Sequence, residues 1–334
     1  EKGRYSNRMV TFRWPLLLLP LAACTGAPVE SNKSDSKAEG DDSVADSPTD
    51  SPTDSPEDSP TDSPAPTDDP EPCFTYATPV QTGTVVDANL DEISDVVPSR
   101  QNGGVLWVHE DSGNDSILTA IDAGGSTLGT IAIEGVTMVD WEDLAISACD
   151  EGWCLWVGDI GDNMQNRGGV KIVRLVEPVI DRAAGVFAVT LTGTVYELPY
   201  PDGSHNAEGM GWSKDGPVIF TKRDGNISDV YTGDLVAGTL TLRGPLSIDR
   251  NTATAADIWP DDSRVLLRTY MDLWEYWLPS GGFADLAHAI RVPVPIAEEV
   301  QGESASYDPV RRGYWTISER ANQPIWFSGC SSDR

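Results

Sequence analysis

The chain of 334 residues is poor in basic residues, in histidine and in long hydrophobic runs. Its 23 lysines and arginines accompany 53 aspartates and glutamates, so the formal net charge is −30. A nucleic-acid-binding protein needs a basic face to neutralise phosphates, so we expect no nucleic-acid partner. The apolar run from Trp14 to Pro20 has about half of the ~20 residues that a membrane-spanning helix needs. A transmembrane anchor is therefore not predicted there.

The sequence also lacks the motifs of several common enzyme classes. It contains no HExxH motif, no P-loop and no dinucleotide-binding fingerprint. Residues 302–306 resemble the nucleophile elbow of serine hydrolases, but the final glycine is missing. The cysteines and histidines show no CxxC or Cys/His spacing typical of a zinc site. The chemistry that remains to be considered is that of the many carboxylates.

The first 23 residues predict a lipoprotein signal peptide, with residues 1–8 lying upstream of a start at Met9. Arg13 precedes the apolar run, and residues 21–24 match a lipobox in which Cys24 is lipidated. A plain secretory signal with an incidental cysteine is the alternative. Thr25 is not the aspartate that retains many lipoproteins at the inner membrane. We expect a bacterial cell-envelope protein, lipid-anchored at the outer membrane on its periplasmic or surface face.

Residues 24–72 predict a disordered acidic tether rich in Ser, Pro, Asp and Thr. From residue 25 this stretch holds 14 acidic residues, 2 lysines and no aromatic residue, so it cannot bury enough apolar surface to fold. Proline and charge repulsion extend such a chain, which favours a spacer. Binding of cations or wall polymers by the tether is a weaker alternative. Residues 73–334 form the predicted globular domain, which is itself acidic, with 38 acidic and 17 basic residues.

A short pattern occurs five times in this domain: an acidic residue in a turn, then a β-rich run ending in polar residues. Successive acidic positions lie 46 to 66 residues apart, the length of a propeller blade. The five acidic positions are Asp95, Glu142, Glu208, Asp257 and Glu303. Helical periodicity is almost absent, so we predict an all-β, five-bladed β-propeller. The widest interval leaves a sixth blade open, and a β-sandwich is the other alternative.

Ring closure accounts for the first strand and for the cysteines of the domain. We expect residues 74–86 to supply the missing outer strand of the last blade. Cys149 and Cys154 flank a tight turn and are expected to form one disulfide, and Cys73 and Cys330 would clamp the two ends of the ring. Four cysteines allow three pairings, so this choice depends on the predicted fold.

Eight segments resemble a family of exported bacterial β-propeller proteins of the DWEDIA/GDIGDN type, over nearly all of residues 95–327. They are His109-Glu110-Asp111-Ser112-Gly113-Asn114-Asp115, Asp140-Trp141-Glu142-Asp143-Leu144-Ala145, Gly158-Asp159-Ile160-Gly161-Asp162-Asn163, Glu177-Pro178, His205-Asn206-Ala207-Glu208-Gly209, Thr221-Lys222-Arg223, Arg268-Thr269-Tyr270 and Gln301-Gly302-Glu303-Ser304. Glu110 stands where asparagine is usual, and Ser304 where alanine is usual. A glutamate at each blade start more distantly resembles the calcium-dependent β-propeller phytases and phytase esterase-like domains, which implies phosphoesterase activity.

A propeller gathers equivalent residues of all blades around one axis, so Glu142, Glu208, Asp257 and Glu303 are predicted to converge at one mouth. Such carboxylates need a cation or raised pKa values, and oxygen ligands from several blades suit Ca²⁺ better than Mg²⁺. The second metal candidates are Asp159 and Asp162 with Asn163, and the loop residues Asp111, Asn114 and Asp115. The alternative for all of them is an Asx turn or a carboxylate that caps backbone N–H groups.

Cationic side chains close to the repeated carboxylates make an anionic ligand reasonable. They are Lys222, Arg223, Arg268 and Arg320, with His109 and His205. A cation and Arg or Lys donors together suit phosphate, so the catalytic candidates are Glu142, Glu208, Lys222 and Arg268. The alternative is ion pairs that lock adjacent blades. Trp141, Trp156, Trp212 and Trp315 are interpreted as blade packing.

The primary prediction is a monomeric, lipid-anchored propeller whose acidic axial mouth binds a divalent cation and a small or polymeric ligand. Its membrane contact is through the lipid alone. The first alternative is a metal-dependent hydrolase of phosphoesters or related esters. The second alternative is a scaffold without a ligand, in which the acidic residues are structural.

Overall fold

A computed structural model describes residues 71–137, 139–223, 225–249 and 252–331. This part contains 21 strands and two short 3₁₀ helices, Arg182–Ala184 and Gly282–His288. Among the described residues, no helix has the length and apolarity needed to cross a membrane. The predicted signal peptide, the lipidated Cys24 and all but the end of the tether lie outside the described residues.

The strands follow one another along the chain as successive antiparallel sheets. The first strand, β1 (Val80–Thr84), belongs to the last sheet. Blade 1 contains β2 (Ile93–Pro98), β3 (Val105–Glu110), β4 (Ile117–Asp122) and β5 (Thr127–Glu134). Blade 2 contains β6 (Trp141–Cys149), β7 (Gly152–Asp159) and β8 (Gly169–Val176), and after β9 (Phe187–Thr192) it is completed by β10 (Thr194–Pro199).

The other three blades repeat the same four-stranded plan. Blade 3 contains β11 (Ala207–Ser213), β12 (Gly216–Thr221), β13 (Ile227–Asp234) and β14 (Thr239–Ser247). Blade 4 contains β15 (Ala253–Ile258), β16 (Arg264–Thr269), β17 (Leu273–Trp277) and β18 (Ile290–Pro293). Blade 5 contains β19 (Ser306–Asp308), β20 (Gly313–Ile317) and β21 (Pro324–Gly329), with β1 at its outer edge.

The innermost strands of the five blades surround one axis. Contacts run from β2 to β6, β11, β15 and β19, and β19 contacts β2 again. This closed order is that of a five-bladed β-propeller, and the predicted fold is confirmed. Because every innermost strand runs in the same sense along the axis, residues at their starts share one mouth of the ring and residues at their ends share the other.

The wide interval between Glu142 and Glu208 contains an added strand and no sixth blade. After β8 the chain crosses to blade 1, where β9 pairs in parallel with β5 as a fifth, outermost strand. Gly129 on β5 permits this pairing, since a Cβ atom there would lie 2.2 Å from the ring of Phe187. The chain then returns as β10 to complete blade 2.

Five separate apolar clusters lie between adjacent blades, one at each of the five junctions. The blades pack face to face, so the second strand of each blade is covered on both sides and is almost entirely buried. Trp141, for example, is fully buried between blades 1 and 2. Burial of such large side chains at every junction contributes most of the stability of the ring.

Blade 5 closes the ring as the sequence predicted. β1 pairs with β21, although the first strand and the last are separated by nearly the whole domain. Cys73 and Cys330 form a disulfide beside this pairing, with Cα atoms 5.3 Å apart. Cys149 and Cys154 form the second disulfide, across the hairpin between β6 and β7. Both predicted pairings are confirmed.

Candidate functional site

Four innermost strands carry a β-bulge near their start, where one residue has no partner on the second strand. The unpaired residues are Ser94, Glu142, Glu208 and Thr254. A bulge redirects its extra side chain, here at the same level of each blade. In blade 5, Glu303 lies at the corresponding place, directly after the bridge between Gly302 and Ser318. The bulge is therefore the feature that makes these five positions equivalent.

This register corrects the predicted equivalence of Asp257 with the three glutamates. In blade 4 the bulge position is Thr254, and Asp257 lies three residues further along β15. Its carboxylate accepts hydrogen bonds from Ser306 Oγ and from the backbone N–H of Tyr307, both at 2.8 Å. Asp257 therefore links blade 4 to blade 5 near the opposite mouth. The sequence spacing was misleading because blade lengths vary by a few residues.

The two bulge positions without a carboxylate join neighbouring blades. Ser94 Oγ donates a hydrogen bond of 2.7 Å to the carbonyl oxygen of Glu142. Thr254 Oγ1 donates in the same way to the carbonyl oxygen of Gly302, at 2.9 Å. A short hydroxyl side chain thus binds the next blade, whereas a glutamate is long enough to reach the central opening.

A cavity of about 130 Å³ occupies this end of the axis, and we call it the acidic mouth. Its lining residues are Ser94, Asp111, Glu142, Asn163, Glu208, Lys222, Tyr270, Gln301, Glu303 and Glu319. They come from all five blades and the loops between their strands. Of the four repeated acids predicted to converge, the three glutamates do so and Asp257 does not.

The closest group of carboxylates in the acidic mouth combines two loops and one bulge. Asp111, Asp140 and Glu142 each place one carboxylate oxygen within 4.8 Å of the other two. Gly161 backs this group, since a Cβ atom there would lie 2.3 Å from Glu142 Oε1 and 2.4 Å from Asp140 Oδ2. The Gly161 N–H also donates to the Asp140 carbonyl oxygen, at 3.1 Å. We call Asp111, Asp140 and Glu142 the carboxylate triad.

Burial and mutual repulsion raise the pKa values of the acids in this mouth. Burial raises the pKa of Glu142, and the charges of Glu208 and Asp111 raise it further. Burial raises the pKa of Glu208 to about 7 and that of Glu303 to about 8. The pKa values of Asp111 and Asp140 are raised in the same direction by burial. The direction of these shifts is that expected of a buried site in which negative charge lacks compensation.

Lys222, directly after β12, places its ammonium group in the acidic mouth. Its Nζ forms an ion pair with Glu208 and donates a hydrogen bond of 2.9 Å to the hydroxyl of Tyr270. Glu303 accepts a hydrogen bond from the side-chain amide of Gln301 at 2.9 Å. Two of the three glutamates therefore have a side-chain partner within the mouth. The carboxylate triad does not contact this ammonium group within hydrogen-bond distance.

Asp159 and Asp162, the second metal candidates, organise the loop that supports the triad. Asp159 is fully buried, forms a 2.7 Å ion pair with Arg167 and accepts the backbone N–H of Asp140 at 3.0 Å. Asp162 accepts the backbone N–H groups of Asn166 and Arg167, at 3.0 and 2.8 Å. These contacts agree with the alternative interpretation, in which the carboxylates cap backbone N–H groups and do not bind a metal. Asp159 thus fixes the backbone from which Asp140 projects.

Arg268, a predicted catalytic residue, does not line the acidic mouth. Its guanidinium group is fully buried, where it forms an ion pair with Glu299 and donates to the Thr269 carbonyl oxygen at 3.0 Å. A Cβ atom on Gly302 would lie 1.7 Å from Arg268 Nη2, so the backbone of blade 5 packs directly on this group. Arg268 is therefore a link between blades 4 and 5, as the alternative of blade-locking ion pairs expected.

The remaining predicted cations also have structural partners. Arg223 pairs with Asp229, and Arg320 donates to the Gln301 side chain at 3.1 Å. His205 contacts Asp202 and the hydroxyl of Tyr231 on the outer side of blade 3. His109 is fully buried, and burial lowers its pKa to about 4, so it is neutral at physiological pH.

Of the loop residues predicted as metal ligands, Asn114 donates a hydrogen bond of 3.1 Å to Glu92, and Asp115 is not among the residues that line the mouth.

Sequence reasoning identified Asp95 as a blade-start acid but missed its buried pairing with Asp143 on the axis. Asp143, the residue after the bulge of blade 2, accepts backbone N–H groups from Met210 in blade 3 and Ala256 in blade 4, the latter at 3.0 Å. Asp95 accepts the N–H of Leu144 at 3.2 Å and hydrogen-bonds the Asp143 carboxylate. Burial raises both pKa values, that of Asp143 to about 7. The available signal was Asp143 itself, the third acid of the DWED segment.

Comparisons with known proteins identify no family for this chain. No protein-family model matches the chain, and no curated protein does. Among solved structures, the PQQ-bound form of aldose sugar dehydrogenase (Adh) from Streptomyces coelicolor is similar, with 13% sequence identity and a TM-score of 0.46. The match covers 78% of this chain and 99% of that chain. At this level of similarity neither activity nor cofactor can be inferred for this chain, and the finer family resemblances remain predictions.

Proposed function

We propose that the acidic mouth binds a divalent cation, Ca²⁺, through Asp111, Asp140 and Glu142. The observation that supports this most strongly is the approach of three carboxylate oxygens to within 4.8 Å of one another. Ca²⁺ accepts six to eight oxygen ligands in irregular geometry, so loop and bulge residues suit it. Mg²⁺ demands near-ideal octahedral coordination, which ligands from separate loops and a bulge satisfy less well.

Charge balance supports a cation as well. Six carboxyl groups lie in or beside the mouth: Asp111, Asp140, Glu142, Glu208, Glu303 and Glu319. One ammonium group, that of Lys222, accompanies them. Such a site relieves its repulsion either by taking up protons or by binding a metal ion, and we propose the metal ion.

The cation would in turn hold one group of a larger ligand. A cavity of about 130 Å³ is smaller than the ~300–1,000 Å³ of typical small-molecule sites, so it admits a single functional group. Lys222, Tyr270 and Asn163 line the same cavity and can donate hydrogen bonds to oxygen atoms. We therefore propose a carboxylate, phosphate or polyol group, carried by a small molecule or a polymer.

Isothermal titration of the metal-free protein with Ca²⁺ tests this function. We expect a single saturable site, and at least tenfold weaker binding in Glu142→Gln, which removes one charged ligand. Glu197→Gln is the matched control, because Glu197 lies on the exposed outer strand of blade 2. Unchanged affinity in Glu142→Gln, with a native melting temperature in EDTA, would contradict the proposal.

A metal-dependent phosphoester hydrolase is the second candidate function. It is favoured by the position of the Lys222 ammonium group and the Tyr270 hydroxyl beside the carboxylates, since a bound cation and these donors could share the charge of a phosphate. Calcium-dependent turnover of a chromogenic phosphoester, lost in Lys222→Gln but not in Lys171→Gln, would establish it. Calcium binding without turnover supports the binding function, and absence of both supports the ligand-free scaffold.

We also propose attachment to the membrane through a lipid on Cys24. The support is the lipobox at residues 21–24 and the acidic, proline-rich segment that follows it. Mass spectrometry of the mature protein should find a diacylglyceryl group at Cys24, and Cys24→Ser should release the protein into the soluble fraction. Release of the unmodified protein would contradict the anchor.

A further inference from the structure

Each blade ends in an outermost strand whose free edge presents backbone N–H and C=O groups. Such an edge can pair with another chain, and proteins usually prevent this with charged residues, prolines, bulges or short strands. Four of the five outermost strands described here follow this rule. β10 carries Glu197, β14 carries Arg243, the four-residue β18 carries Arg291, and β1 contains a bulge.

The fifth outermost strand, β9, has none of these features. Residues 183–196 contain no charged residue and no proline, although the whole chain has a net charge of −30. The pairing of β9 with β5 is regular over all six residues and has no bulge. Four of these six residues are exposed. β9 is therefore a regular, uncharged and exposed edge strand, in contrast to the outermost strands of the other four blades.

Half of the backbone hydrogen-bonding groups of β9 are directed away from its own sheet. β9 stands at the end of the five-stranded sheet of blade 1, and it pairs with β5 alone among the described strands. A strand directs its N–H and C=O groups alternately to its two sides, so the groups on the outer side have no partner strand. A further strand could therefore extend this sheet without displacing any described strand.

The inner face of β9 carries an apolar row that its own blade covers only in part. Phe187 and Leu191 pack against the apolar cluster between blades 1 and 2, but both are only partly buried. Val189 lies between them on the same face of the strand and is 38% exposed. A strand added at the free edge would cover more of this row, and that burial would favour association.

From this edge we infer that β9 pairs antiparallel with β9 of a second copy of this chain. A two-fold axis through Val189 places Phe187 opposite Leu191 of the second copy. Ala188 then lies opposite Thr190, and Val189 lies opposite its own equivalent. Apolar residues thus meet apolar residues on the inner face, and no like charges are opposed.

The absence of charge along β9 favours a second copy as the partner. A strand with charged residues would have to give up their hydration against this uncharged edge. The β9 strand of a second copy is uncharged over the same length. This inference departs from the monomer predicted from the sequence, and the surface lies on the outside of the ring, away from the acidic mouth.

The expected dimer is weak and reversible. One strand pair buries less than the ~800 Å² per partner of a standard interface, so we expect a dissociation constant on the order of 10 μM. Both copies are acidic, and their mutual repulsion also limits the affinity.

Sedimentation equilibrium of the full chain with Cys24→Ser, which removes the proposed lipid, tests the inference. Ala188→Lys/Thr190→Lys places like charges opposite each other twice and should weaken dimerisation at least tenfold. Ala188→Glu/Thr190→Lys places opposite charges at the same positions, and its affinity should stay within about threefold of the parent chain. Thr239→Lys/Thr241→Lys adds the same charge to the exposed outermost strand β14 and should leave dimerisation unchanged.

Amide hydrogen exchange tests the same pairing without any substitution in β9. Exchange of Phe187–Thr192 should slow as the protein concentration rises through the dissociation constant, whereas exchange in β14 should not change. The melting temperature of each variant identifies loss of fold, and the exchange measurement decides if the β9 variants are unstable.

Three outcomes would overturn the inference. They are a monomer at every concentration up to about 500 μM, a dimer in which the exchange of β9 is unchanged, and equal dimerisation of the like-charge and opposite-charge variants. Dimerisation through β9 does not involve the carboxylate triad, so a failed Ca²⁺ titration leaves this inference unaffected.

Discussion

The buried acid pair on the axis makes a sharp prediction about two isosteric substitutions. Asp143 accepts three backbone N–H groups, one of which, that of Leu144, is shared with Asp95 Oδ2, while Asp95 Oδ1 has no hydrogen-bond donor among the described residues. A proton on Asp95 that is donated to the Asp143 carboxylate satisfies every one of these atoms. Asp95→Asn keeps this pattern, because its NH₂ group donates where the O–H did. Asp143→Asn instead replaces an accepting oxygen by an NH₂ group, which faces the N–H donors that the carboxylate had accepted.

The magnitude follows from the contacts that each variant loses. In Asp143→Asn at least one buried donor loses its acceptor, at a cost of about 1–3 kcal/mol, and the other bonds lose the strength of a charged acceptor. We expect Asp143→Asn to destabilise by about 3 kcal/mol and Asp95→Asn by less than about 1 kcal/mol. For a domain of this size the difference of about 2 kcal/mol corresponds to roughly 4–8 °C in melting temperature.

Urea denaturation at pH 7 and differential scanning calorimetry measure both quantities. Equal m-values for the two variants would show that the change lies in stability and not in the compactness of either state. If Asp95→Asn costs as much as Asp143→Asn, the assignment of the proton is wrong. If neither substitution matters, the pair does not join the blades as the contacts indicate.

Three further predictions follow from the same contacts. Burial raises the pKa of Asp143 to about 7 and that of Glu303 to about 8, and above about pH 6.5 His109 is neutral in both states, so in that range the folded metal-free domain binds more protons than the unfolded chain. Its stability, measured by urea titrations, should therefore fall as pH rises from about 6.5 through 8. Gly161→Ala should weaken Ca²⁺ binding at least tenfold in calorimetry, because its Cβ would displace the triad carboxylates. Replacing Cys73 and Cys330 by serine should destabilise by about 5 kcal/mol in denaturant titrations, against about 2 kcal/mol for the hairpin disulfide, since the loop closed is far longer. A stability that rises with pH would contradict the first prediction, and unchanged Ca²⁺ affinity in Gly161→Ala would contradict the second. Equal losses of stability on removal of either disulfide would contradict the third.

Blade-length repeats and turn residues were sufficient to predict the fold. The five-bladed ring, the outer strand of the last blade and both disulfides follow from spacing and closure. The role of the wide interval was not predictable, because β9 leaves its own blade and pairs with β5 through a contact that Gly129 permits. Such a crossing depends on tertiary packing and leaves no local pattern in the sequence.

The site was predicted in part. The three glutamates share a mouth because Glu142 and Glu208 occupy bulges and Glu303 lies at the corresponding place in blade 5, but a bulge shifts the register by one residue and is invisible in the sequence. Asp257 was therefore aligned with them, and Thr254 was overlooked. Arg268 was grouped with the ligand donors because the sequence does not reveal its buried partner, Glu299.

The central claim is that circular closure brings acids from distant parts of the chain into one cation site. A crystal structure determined in the presence of Ca²⁺ tests it most directly, through anomalous scattering from the metal. The account predicts a peak bound by the carboxylates of Asp111, Asp140 and Glu142, at about 2.3–2.6 Å from their oxygens. The absence of a peak at that position, with these carboxylates directed away from one another, would contradict it.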